Sequence, residues 1–137
     1  MQDSKRIAFI NKAIEKTKSK ELVWQRVSST EFIKPLEPIK ILSRNPFMAL
    51  IDDSNFIAPF QSGEIVLAAY ADQDKFSQIV PPNNCFLSLR IQDSKSPFAM
   101  EIANSNTGYS ADLIRLYNLV DNESPTLKSL FNDFLNS

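Results

Sequence analysis

The sequence predicts an α+β domain: an N-terminal helix, a four- to five-stranded antiparallel meander sheet and two C-terminal helices. Three observations predict it. Residues 85–103 alternate apolar and polar side chains on either side of a polar Asp-Ser-Lys-Ser-Pro break, the pattern of a β-hairpin with one buried face. Residues 4–18 and 109–135 instead repeat apolar side chains at helical spacing. The helical stretches also lie at the two ends of the chain, which favours α+β over a βαβ arrangement. A chain of 137 residues suits a single domain over 1–137 and buries about two thirds of its unfolded surface.

Within 4–18, Ile7, Ile10, Ile14 and Thr17 form one stripe, with Ala13 beside it. Asp3 or Ser4 is the expected cap, and Lys16, Lys18 and Lys20 suit the negative end of the helix dipole. Leu22 to Ser28 reads as the first strand, with Trp24 as an anchor of the core or of a groove. Pro35, Pro38 and Pro46 exclude a long helix or a central strand over 31–46. Asn45-Pro46 resembles a helix start, so 46–52 is expected as a short helix in preference to a hairpin of 47–51 with 56–60. In either case 30–55 crosses one edge of the sheet.

Two strands follow, Phe56 to Phe60 and Glu64 to Ala71. Pro59 places the first at an edge or a bulge. The second is apolar on both sides, as a central, doubly covered strand is. A polar loop from Asp72 to Asn84 leads into the hairpin. There Cys85, Leu87, Leu89 and Ile91 are expected inward with Phe98, Met100 and Ile102. After Gly108, helices are expected over 109–120 and, starting at Ser124-Pro125, over 125–135.

Composition restricts the chemistry. The chain has no histidine, which removes Ser-His-Asp and Cys-His catalysis and imidazole metal ligands. Its two glycines, Gly63 and Gly108, are too few for the usual phosphate-cradling loops. A single cysteine forms no internal disulfide, and neither a secretory leader nor an apolar run near the roughly 20 residues of a membrane span is visible. A cytoplasmic protein that makes no membrane contact and carries no cofactor or metal is the expectation. The net charge of −1 is unevenly spread. Residues 1–44 carry ten Lys/Arg against five Asp/Glu, and residues 45–137 carry five against eleven. Packing of the two halves on each other, or on a second copy, accounts for this more simply than an anionic partner does.

No residue reads as catalytic. Cys85 has no base to activate it and faces inward, where a thiol is inert. Asp52 with Asp53, and Asp72 with Asp74, lack any metal-loop spacing and read as solvated loop charges. Phe86, Ser88 and Arg90 point away from the hairpin core, and Arg26 is expected to join them, so an exposed platform for a small ligand or stacked bases is one alternative. The acidic balance of 45–137 argues against nucleic acid there. A carboxylate-based hydrolase is a second alternative. The favoured expectation is a non-catalytic protein–protein interaction module of chaperone, immunity or adaptor type. It would bind a protein partner or a second copy of itself through candidates among Trp24, Arg26, Phe86, Ser88, Arg90, Phe131 and Phe134, the last two as an exposed rim of the C-terminal helices.

Overall fold

A computed structural model describes residues 2–27, 30–36, 48–123, 131 and 134–137. Helix α1, Asp3–Lys18, buries Ile10, Ala13, Ile14 and Thr17, the stripe its sequence spacing requires. Ile7, one turn earlier, is exposed. The cap is Gln2 rather than Asp3 or Ser4, with no side-chain bond. Asp3 sits inside the first turn and pairs with Arg6 at 3.4 Å. The helix stops at Lys20, which takes the left-handed conformation at φ 65°. The Lys20 amide then donates to Thr17 O, and the Glu21 amide to Lys16 O. This is a Schellman closure, with lysine where glycine is usual.

The sheet contains β1 (Gln25–Val27), β2 (Met48–Leu50), β3 (Asn55–Phe60), β4 (Gly63–Asp72), β5 (Phe86–Asp93) and β6 (Met100–Asn104). Every pairing is antiparallel, in the order β1-β3-β4-β5-β6. The sixth strand is β2, and it corrects the expected helix over 46–52. Residues 48–50 pair with Asp72, Ala71 and Tyr70 at the far end of β4, and residues 46 and 47 lie outside the described residues. The alternative hairpin with β3 does not form either, because β2 and β3 follow one another along the same edge of β4. Long β4 is apolar on both faces, and its unfilled edge recruits Met48–Leu50. That pairing outweighs a weak local start signal.

Buried Asn55 closes the gap between these two short strands. Its Nδ2 donates to Ile51 O and its Oδ1 accepts from the Ala69 amide, each at 2.8 Å. Pro59 lies beyond the last β1–β3 pair, Gln25 with Ile57, so it interrupts no ladder on that side.

Helix α2, Ser110–Glu123, buries Leu113, Leu116, Tyr117 and Val120. It lies with α1 on one face of the sheet, over Phe56, Ala58, Ile65, Leu67, Ala69, Leu87 and Leu89. The opposite face carries a second, smaller core of Ile33, Ile57, Val66, Ala68, Tyr70 and Phe86. The stretch 30–36 crosses that face and ends in a bridge between Leu36 and Ala99. The loop after β4 is better anchored than its polarity implies. It includes a 3-10 helix, Gln73–Gln78, and packs Phe76 and Ile79 on the main core. The second C-terminal helix expected over 125–135 falls mostly outside the described residues; Phe131, Phe134 and Leu135 have helical backbone.

The β5–β6 hairpin forms as expected, with one irregularity. Leu89 pairs with Ala103 but Arg90 pairs with Glu101, so Ile102 is an extra residue in a β-bulge. The bulge breaks the simple alternation. Ala103 and Met100 both fall on the helix-covered face, opposite Leu89 and Ile91, but the cover is incomplete at this end and Phe98 and Met100 stay partly exposed.

Candidate functional site

The residues expected to form an outward platform are buried. Arg90 and Ser88 have no exposed surface, and Phe86 is packed edge-on against Tyr70 with ring centroids 6.2 Å apart. Their side of the sheet is taken up by the second core and by 30–36, whose Lys34 carbonyl accepts from Arg90 Nη1 at 3.3 Å. Alternation along the strand showed which residues share this face, but not that 30–36 lies over it.

On that face a polar chain runs across three strands. Arg90 Nη2 donates to Tyr70 Oη at 2.7 Å and to Ser88 Oγ at 2.9 Å. Ser88 Oγ donates to Glu101 Oε2 at 2.6 Å, and Asn104 Nδ2 donates to Glu101 Oε1 at 2.6 Å. Arg90 also lies over the Tyr70 ring, 5.4 Å from its centroid. Such a network fixes the strands; Arg90, Ser88, Tyr70 and Asn104 are buried in it and Glu101 is half-buried.

Arg26 does not join it. The guanidinium lies on the helix-covered side, 4.7 Å from the centroid of the Phe56 ring, donating to the Asp53 carbonyl and paired with Asp121 of α2. Arg26 belongs to the basic half of the chain and Asp121 to the acidic half, so this contact is one place where the opposed charges meet inside the fold. Trp24 is a core anchor, 2% exposed. Its indole N–H donates to Thr17 Oγ1 at 2.9 Å, and that hydroxyl donates to Ala13 O at 2.6 Å. Arg26 keeps an exposed side, and of the expected apolar contact residues Phe131 and Phe134 stand clear of the core, 62% and 79% exposed, followed by Leu135 at 64%.

The accessible feature that sequence reasoning missed lies at one end of the sheet. Ala58, Ile65, Ile91 and Met100 are successive cross-strand partners from β3 to β6. Cover fails along this row: Ala58 is wholly buried and Met100 is 48% exposed. Phe60 at 44% and Phe98 at 37% flank it. Ile65, Ile91, Met100, Phe60 and Phe98 line an open cleft of about 380 Å³ between the β3–β4 turn and the β5–β6 loop. Gly63 forms part of its wall, where a Cβ would come within 2.8 Å of the Gln92 carbonyl. Lys16 of α1 stands 5.9 Å from the centre of the Phe60 ring on the flank. The sequence showed Phe98 and Met100 as apolar, but the place where the cover ends has no signature in it.

Ionisable groups add no reactive centre. Burial pushes the Cys85 thiol up to about 11, which leaves it protonated and unreactive at neutral pH. Burial likewise raises the Tyr117 phenol, whose hydroxyl donates to Ser54 O at 2.8 Å. Among the described residues no three or more Cys, Asp or Glu side chains group to hold a metal ion, and no helix is long and apolar enough to cross a membrane. No family model, curated protein or solved structure matches the chain.

Proposed function

We propose that this protein is a non-catalytic protein-binding module, of chaperone, immunity or adaptor kind, acting in the cytoplasm. The observation that carries the reading is the cross-strand row that leaves the core at Met100. A core row that runs into solvent between two aromatic side chains presents apolar surface in a concave setting, where a partner's side chains would be desolvated. The groups that carry chemistry in other folds are occupied elsewhere. The one thiol is held neutral, and Arg90, Ser88 and Tyr70 bond to one another beneath 30–36.

The test is retention from native cell extract by the wild-type chain and by a Phe98→Ser/Met100→Ser variant. Both changes fall on exposed side chains and are expected to leave the melting temperature within a few degrees, as surface substitutions do. A protein held by the wild type and released by the variant supports the reading. Identical retention by both removes the cleft as the contact.

A further inference from the structure

Resting on that reading, we infer that the occupant of the cleft is a second copy of the chain, which inserts the stripe Phe131, Phe134 and Leu135. Those three residues have helical backbone and follow the spacing i, i+3, i+4. That is how an amphipathic helix presents its anchors to an apolar groove. All three are largely exposed in the same molecule whose cleft residues Phe60, Phe98 and Met100 are also exposed, so neither surface satisfies the other within one chain.

The areas match what a dimer needs. At about 200 Å² per large apolar side chain, the six residues expose roughly 650 Å² per copy. A two-fold arrangement lets each copy give its stripe and receive its partner's, because the same patch serves both sides. If fully covered, the exchange removes roughly 1,300 Å² from water, just inside the range of about 1,200–2,000 Å² for stable specific interfaces. One stripe in one cleft, without the return contact, would fall well short of it. Glu64 and Asp93 edge the cleft and Lys16 stands over the Phe60 ring on its flank, so the apolar contact has a charged rim.

Light scattering on size-separated protein tests this across about 1 to 100 µM, since dimer population depends on protomer concentration. The wild type is expected to move from one chain of 15.5 kDa toward two. The Phe131→Ser/Phe134→Ser variant and the Phe98→Ser/Met100→Ser variant are each expected to stay monomeric, their Kd raised at least tenfold. Mixed together, they retain one intact stripe and one intact cleft, and are expected to recover part of the association that neither shows alone. A wild type that remains monomeric over the whole range overturns the inference, as does a dimer that survives either double substitution. Dissociation at about 0.5 M salt, where the screening length is roughly 4 Å, also overturns it, because it marks a charge-driven contact. A monomeric wild type that still loses an extract protein on cleft substitution leaves the protein-binding reading intact and removes only the second copy as occupant.

Discussion

Arg90 of β5 and Glu101 of β6 face each other across the ladder and are joined through one atom, Ser88 Oγ. The β-bulge makes this possible. Leu89 pairs with Ala103, so an unbroken register would set Ile102 opposite Arg90, an apolar side chain against a buried guanidinium. The extra residue brings Glu101 there instead. Burying a cation is tolerable only where acceptors surround it. Tyr70, Ser88 and the Lys34 carbonyl do so here, and the Ser88 link to Glu101 brings an anion close.

Removing the link should therefore cost more than one ordinary hydrogen bond. Ser88→Ala takes one hydrogen bond from wholly buried Arg90 and one from half-buried Glu101, for an expected loss of about 1–3 kcal/mol. Arg90→Met and Glu101→Leu are each expected to lose about 1–3 kcal/mol, because each takes hydrogen bonds out of the network that joins them through Ser88. The double substitution is expected to lose less than the sum. Denaturant midpoints for the four proteins give the coupling, and strict additivity would show that the two residues do not sense each other.

A second buried donor makes a sharper case. The Trp24 indole N–H has Thr17 Oγ1 as its acceptor, and the residue is almost wholly enclosed. Thr17→Val keeps the shape and removes the acceptor, so a loss of about 1–3 kcal/mol is expected. Thr17→Ser keeps the hydroxyl and should lose clearly less. Equal losses in thermal or urea melts would assign the effect to packing and not to the bond.

Legibility in the sequence followed locality. The helix over 4–18, the doubly apolar strand over 64–71 and the 85–103 hairpin were readable because periodicity within each segment dictates which face is buried. Met48–Leu50 was not, since its pairing is decided by the open edge of β4 and not by its own residues. The same holds for the hidden face of Phe86, Ser88 and Arg90. Alternation puts the three together, but only the passage of 30–36 decides whether they meet water. Of the candidate contact residues, Phe131 and Phe134 were found as an exposed rim. Phe60, Phe98 and Met100 were missed because cover runs out at this end of the sheet, and alternation along a strand tells which face a residue is on but not where the cover ends.

The end of α1 carries a correctable strain. Lys20 holds φ 65° as the residue after the cap, a conformation that crowds a Cβ. Lys20→Gly removes the crowding, while glycine's greater freedom in the unfolded chain offsets part of the gain. A net stabilisation of about 0.5–1 kcal/mol is expected, read as a higher urea midpoint at unchanged slope. A lower midpoint would mean that the side chain itself contributes more than its backbone costs.

Cys85 gives the fold a pH dependence on the alkaline side. Burial raises its thiol from an ordinary value near 9 to about 11. A raised acid is one whose neutral form the folded state prefers. Its contribution is therefore whole below about pH 9 and is lost as pH rises through about 11. The side chain is only partly buried, and solvent screening holds the effect to about 1 kcal/mol at most. Tyrosines and lysines titrate in the same window, so the informative quantity is the difference between the wild type and Cys85→Ala. Urea midpoints measured at about pH 8.5 and pH 11 should show the wild type losing more stability than the variant. Thiol modification should run slowly at about pH 8, because little thiolate is present, and accelerate toward pH 11. Parallel stability losses, together with rapid modification at the lower pH, would place the thiol in water and remove it from the core.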